Sequence, residues 1–124
     1  MLLKILRNGV GGLWQLGDKI TRPTKMRRSP EAQQQVAQAC ADLALYNLPR
    51  CPFCIKVRRN MHRLNLPIEL RNVSPGSAHR DELAAGGGRI KSPCLRIEEN
   101  GESRWMYESN DIIAYLEQRF ANIT

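Results

Sequence analysis

Two cysteines in the run Cys51-Pro52-Phe53-Cys54 are the side chains of this sequence best suited to chemistry. A thiolate attacks a disulfide sulfur and passes through a mixed disulfide, which a second nearby thiol can resolve. The pair follows Leu43 to Asn47, which reads as a short buried strand, and opens a helical stretch running to about Leu64. Cys51 is therefore expected at a helix start, where unpaired N–H groups and the helix dipole favour the thiolate. Arg50 adds a positive charge beside it. Pro52 suits a first helical turn, where its missing N–H costs no hydrogen bond. Cys54 is expected one turn further on, more buried, and placed to attack a mixed disulfide on Cys51.

Other uses of the pair are weaker. A zinc site needs two further ligands at regular spacing. Cys40, Cys94, His62 and His79 are available, but they form no second C-x-x-C and no H-x3-H. A purely structural disulfide closing so short a loop gains little. A second feature points to redox chemistry independently. Ser92-Pro93 opens the third predicted strand, in the loop that approaches the cysteine pair in this layout. A cis proline there, only about 0.5–1 kcal/mol above trans, would offer a backbone edge to an extended thiol substrate. The alternative is a trans proline that simply starts a strand.

The elements that position these residues can be read along the chain. Ser29-Pro30-Glu31 is a helix start, with Ser29 as cap and Pro30 at the first position, for a helix to about Ala41. In the helix after Cys51, Ile55, Val57, Met61 and Leu64 face a core, while Lys56, Arg58, Arg59 and Arg63 stay wet. Leu66 to Val73 reads as a second strand, Ser74-Pro75-Gly76 as a turn, and Ala78 to Ala85 as a helix ending in Gly86-Gly87-Gly88. Pro93 to Glu98 is a third strand. Asn100-Gly101 signals a hairpin, pairing that strand with Ser103 to Tyr107. Ser109 is expected to cap a last helix to about Phe120. The order strand–helix–strand–helix–strand–strand–helix is the thioredoxin-like α/β layout, a four-stranded mixed sheet flanked by helices.

The chain has 124 residues and a net charge of +7, unevenly spread. Met1 to Arg28 holds seven basic residues against one acidic, whereas Ser29 to Thr124 holds twelve against eleven. The basicity thus belongs to an N-terminal arm, which argues against a nucleic-acid-binding domain and for an acidic surface as partner, lipid or protein. Wound as a helix, Met1 to Ile20 is amphipathic: Leu2, Leu3, Ile5, Leu6, Val10, Leu13, Trp14, Leu16 and Ile20 share one half. Gly9, Gly11 and Gly12 weaken it by about 1 kcal/mol each. Three alternatives stand: the arm packs on its own domain or a sister subunit, lies on a membrane surface, or is disordered. Thr21 to Arg28 reads as linker. The division is thus 1–28 arm and linker, 29–41 leading helix, and 42–124 catalytic domain. Lys4, Arg7 and Asn8 interrupt any secretory core, and no stretch has transmembrane length. The expected location is a reducing cytoplasm, with a peripheral membrane position open through the arm.

Three regions, Leu45-Tyr46 through Cys51-Pro52-Phe53-Cys54, Gly88 to Pro93, and Tyr107-Glu108-Ser109-Asn110-Asp111-Ile112, resemble the signature regions of glutaredoxins. The last also resembles the N-terminal domain of glutathione transferases, which share the fold. C-P-F-C is close to the C-P-Y-C of dithiol glutaredoxins and unlike the W-C-G-P-C of thioredoxins. The resemblance covers about Asp42 to Phe120. It implies glutathione bound in extended form, held on Cys51 as a mixed disulfide and paired with the backbone of Ser92 before Pro93. It further implies that Ser109, with Glu108 and Asn110 or Asp111, meets the γ-glutamyl carboxylate. Lys91 or Arg89 would meet the glycyl carboxylate, and Arg50 and Phe53 would flank the thiol. Ser92 departs from the family, which usually has Val there; Cys94 after the proline is also unusual.

The expected activity is a glutathione-dependent thiol–disulfide oxidoreductase that acts on protein or small-molecule disulfides and glutathione mixed disulfides. Its expected partners are glutathione and disulfide-containing or glutathionylated proteins, with no metal. The alternatives are a transferase-like domain that conjugates glutathione to electrophiles, and an iron–sulfur carrier or adaptor module.

Overall fold

The computed structural model describes residues 25–124. The amphipathic segment Met1 to Ile20 and its three alternatives lie outside the described residues. The elements are α1 (Pro30–Cys40), β1 (Leu43–Asn47), α2 (Pro52–Arg63), β2 (Glu69–Asn72), α3 (Ala78–Gly87), β3 (Cys94–Glu99), β4 (Glu102–Met106) and α4 (Ser109–Phe120).

The strands form one mixed sheet in the order β2-β1-β3-β4. β1 runs parallel to β2 and antiparallel to β3, and β3 runs antiparallel to β4. Every residue of β1 is buried, as a central strand covered on both faces should be. Alternate side chains point to opposite faces. Leu43 and Leu45 join Val36, Val57, Met61, Ile112, Leu116 and Phe120 on the face covered by α1, α2 and α4. Ala44 and Tyr46 join Val73, Leu83, Cys94 and Tyr107 on the face covered by α3. This is the thioredoxin-like arrangement expected from the element order. Among the described residues no helix is long and apolar enough to cross a membrane.

Local signals explain most boundaries. Ser29 accepts the Ala32 N–H and Pro30 opens α1. Asn100 and Gly101 turn the β3–β4 hairpin with φ of 53° and 79°, the pair of positive values that a type I′ turn requires.

Several boundaries and roles differ from expectation. The second strand is only Glu69–Asn72, because the Leu66 N–H bonds back to the Met61 carbonyl and the Ile68 N–H to Leu66. Leu66 and Ile68 are core plugs between α2 and β2. α3 continues through Gly86 and Gly87 to a left-handed cap at Gly88. A Cβ at Gly86 would collide with the Trp105 ring, and one at Gly87 with the Tyr107 hydroxyl. The glycines are there for close approach, not to end the helix. Ser109 is the first residue of α4 rather than its cap; Glu108 takes the cap position without a side-chain bond.

The segment read as linker reaches into the domain. Met26 packs against the core and donates its N–H to the Arg63 carbonyl at 2.8 Å. Arg28 donates to the carbonyls of Leu64 at 2.6 Å, Ile123 at 2.6 Å and Phe120 at 3.1 Å. Its guanidinium closes the C-terminal ends of α2 and α4 together, where orphan carbonyls and the dipole favour a cation.

Candidate active site

The C-terminal end of β1 delivers the chain to the start of α2, and Cys51 stands at that junction as the N-cap residue. Its backbone is extended (φ −72°, ψ 123°) and its carbonyl accepts the Ile55 N–H at 2.9 Å, the first turn of the helix. Its side chain makes no capping bond and is partly exposed. Pro52 follows at the first helical position. Cys54, one turn on, is fully buried, and both thiols are free.

The surroundings of Cys54 are well defined. The Leu48 N–H points to its sulfur at 3.5 Å. Burial pushes this thiol up to about 11; the Leu48 N–H and the Ser92 hydroxyl act in the opposite direction, and neighbouring Cys51 adds to the rise. The sense follows from burial disfavouring charge and donors favouring it.

The loop before Cys51 is held by a residue expected to be merely wet. Arg58 donates to the Asn47 side chain at 2.6 Å, to the Pro49 carbonyl at 2.7 Å and to the Leu48 carbonyl at 3.5 Å. It is half-buried and ties the second turn of α2 to the Asn47 side chain and the 48–49 backbone. Nothing local in the sequence marks this role.

The second region enters from the other side of the sheet. The Ser92–Pro93 peptide bond is cis, as expected, and Pro93 is buried at the start of β3. Ser92 itself is half-buried. Before it, Lys91 is exposed and its ammonium stands 3.1 Å from the Glu108 carboxylate. That ion pair links the loop to the start of α4. Lys56 makes a similar link from α2, donating to the Asn110 side chain at 2.6 Å. The elements that carry Cys51, Lys91 and Glu108-Ser109-Asn110 are thus joined at one end of the sheet. Phe53 is 62% exposed and Ile90 50% exposed, large apolar side chains on the same two segments. Arg50 is exposed beside Cys51.

Other candidates lie elsewhere. Tyr46 is a core residue: it is fully buried, donates to Glu82 at 2.9 Å and accepts from Arg71 at 2.7 Å. His79 sits in that same network, 2.8 Å from Glu82. Arg89 stacks over Tyr107 at 4.4 Å, and the Tyr107 hydroxyl donates to the Arg89 carbonyl at 2.9 Å. Cys94 is buried in the α3-side core, and burial pushes its thiol up to about 12. Cys40 is buried on the opposite face, its thiol pushed up to about 11 by the same cause. Among the described residues no group of three or more His, Cys, Asp or Glu could hold a metal ion.

Residues 45–123 match the family model for the glutathione S-transferase N-terminal domain. The chain belongs to this family. It is also similar to glutaredoxin 2 of Escherichia coli, with 29% identity over 76 residues, 61% of this chain and 33% of that protein. The chain therefore spans about a third of the length of the curated relatives it matches. Among solved structures, an epsilon-class glutathione S-transferase from the housefly Musca domestica is 26% identical with a TM-score of 0.53, over 64% of this chain and 36% of that one. A maleylacetoacetate isomerase from Anaeromyxobacter dehalogenans, solved with glutathione in its active site, is 28% identical with a TM-score of 0.50, over 64% and 38%. Glutathione transferase Omega 3C from Trametes versicolor, at 23% identity and a TM-score of 0.55 over 80% and 43%, shares the fold. Within this transferase N-terminal domain family, the chain presents a C-P-F-C pair at the start of α2.

Proposed function

We propose that this protein is a glutathione-dependent thiol–disulfide oxidoreductase that attacks through Cys51. The observation that carries the reading is the asymmetry of the pair: Cys51 is partly exposed at a helix N-terminus, and Cys54 is buried one turn behind it. The Cys51 thiolate attacks a glutathione mixed disulfide or a protein disulfide and becomes joined to one partner. A second glutathione, or Cys54, then displaces that partner. Glutathione lies across the Ser92-Pro93 loop and the start of α4. The Ser92 backbone pairs with its cysteinyl residue, and Ser109 and Asn110 take the γ-glutamyl carboxylate at the positive end of the helix. Lys91, now on Glu108, turns to the glycyl carboxylate as a charge-assisted contact. Phe53 and Arg50 border the thiol. Similarity to glutaredoxin 2 and to a maleylacetoacetate isomerase solved with glutathione supports the ligand.

The test is turnover of a glutathione mixed disulfide, with glutathione and its reductase, in wild type and Cys51→Ser. Turnover that vanishes with Cys51 supports the reading; turnover that survives it overturns it. The family match favours one second reading, conjugation of glutathione to electrophiles with Glu108-Ser109 as the ligand-holding pair. Chlorodinitrobenzene conjugation that persists in Cys51→Ser would favour it. For the basic N-terminal segment we propose contact with an anionic membrane surface from the cytoplasmic side. Equal co-sedimentation with anionic vesicles after removal of residues 1–24 would contradict that.

A further inference from the structure

We propose that Lys56 is a positioning residue for glutathione: its ammonium holds the Asn110 amide by the oxygen, so that the amide nitrogen is the branch offered to the γ-glutamyl carboxylate at the start of α4. The inference rests on the reading of Cys51 as the attacking thiol and of glutathione lying across the start of α4.

Lys56 stands two residues beyond Cys54 on α2, and Asn110 is the second residue of α4. Their side chains meet between the two helices, with Lys56 Nζ 2.6 Å from Asn110 Oδ1. An ammonium can only donate, so it takes the oxygen of the amide and never the nitrogen. The amide nitrogen and its two N–H donors are thereby left for another partner. A carboxylate can only accept, so the sense of the amide decides whether it attracts or repels one. An Asn110 released from Lys56 can turn either branch outward. With Lys56 in place only the donor branch is turned out.

The helices that carry the two residues are fixed against each other. One turn along α2, the Asn60 amide donates to the Glu117 carboxylate of α4 at 2.8 Å, and Arg63 pairs with the same carboxylate. The Lys56 contact therefore sits on a rigid helix pair, which positions a binding group more closely than a loop does. The start of α4 suits an anion, since its cap residue Glu108 makes no side-chain bond to the first turn. Lys91 reaches Glu108 from the opposite segment at 3.1 Å. Lysines from two elements thus bracket this turn, one on a charge and one on a neutral amide. Only the amide keeps donors to give. Lys56 and Asn110 are both exposed, as a pair that meets a diffusing ligand must be.

The experiment mixes the reduced full chain with excess disulfide, quenches in acid, and follows loss of the free Cys51 thiol by mass. Two disulfides are compared, that of glutathione and that of γ-aminobutyryl-cysteinyl-glycine, which lacks only the γ-glutamyl carboxylate. In Lys56→Met the half-saturating concentration of glutathione disulfide should rise about fivefold, the upper range for an exposed charged contact, with the limiting rate within about twofold of wild type. Lys56→Arg should restore it. With the carboxylate-free disulfide, Lys56→Met and wild type should coincide. In an Asn110→Ala background, Lys56→Met should add less than about twofold, as expected for two residues acting as one unit. No rise with glutathione disulfide, an equal loss with both disulfides, or a full fivefold effect that persists without the Asn110 side chain overturns the proposal. So does a wild type that reacts equally well with both disulfides, while the oxidoreductase reading stands. Failure of the wild-type Cys51 thiol to react with either disulfide overturns that reading, and this proposal with it.

Discussion

The two ends of α2 have been treated in opposite ways. Its N-terminal end carries Cys51 as cap, with no side-chain bond to the free N–H groups of the first turn. Its C-terminal end is closed: Arg28 fills the Leu64 carbonyl and at the same time those of Phe120 and Ile123. Each end has orphan backbone groups, N–H donors at the first and C=O acceptors at the second, at opposite poles of one dipole. At one end they are left for a reacting sulfur, and at the other they are spent on joining two helices to the segment before α1. The difference teaches that stability and chemistry are drawn from separate ends of one helix, so that each can be disturbed alone.

The largest effect separating them is expected from Cys51→Ser. Turnover of a glutathione mixed disulfide should be lost, while the thermal midpoint stays within about 2 °C, because a partly exposed residue away from packing contributes little. Arg28→Ala should do the reverse. Three carbonyls lose a charged donor, and stability should fall by about 2–3 kcal/mol. The midpoint should drop by about 10 °C or more in a domain of this size, with turnover retained at low temperature. A midpoint unchanged in Arg28→Ala would show that the closed end is not a stabilising device. Gly86→Ala should cost about 1–3 kcal/mol by driving a methyl group into Trp105, read as a lower denaturation midpoint. It perturbs neither end of α2. The smallest effect on turnover is expected from Cys54→Ser, which should keep most deglutathionylation while losing reduction of protein disulfides. Equal loss of both in a stopped-time assay would mean that Cys54 acts in every cycle.

What was legible in the sequence is what is local. The cysteine pair, Pro52, Ser92-Pro93, the Asn100-Gly101 turn and the Ser29-Pro30 helix start each declare themselves within four residues. The element order then led to the sheet. Arg28 was not legible, since its partner Ile123 lies 95 residues away and a run of basic residues looks like solvated linker. Arg58 was missed for the same reason: on a helix wheel it falls on the wet side, yet its length lets it reach back to the Asn47 side chain and the Pro49 carbonyl. Gly86 and Gly87 were read as a helix stop because glycine usually is one; the rings of Trp105 and Tyr107, which require them, arrive only through tertiary packing. Ser109 has the chemistry of a cap, but the chain enters α4 one residue earlier.

The measurement that tests the account most directly is to treat the full chain with one equivalent of glutathione disulfide, quench at once in acid, and locate the adduct by peptide mass. The account predicts glutathione on Cys51 at early times, giving way to a Cys51–Cys54 disulfide, with Cys40 and Cys94 unmodified. Early adducts on Cys40 or Cys94, or none on Cys51, would contradict it.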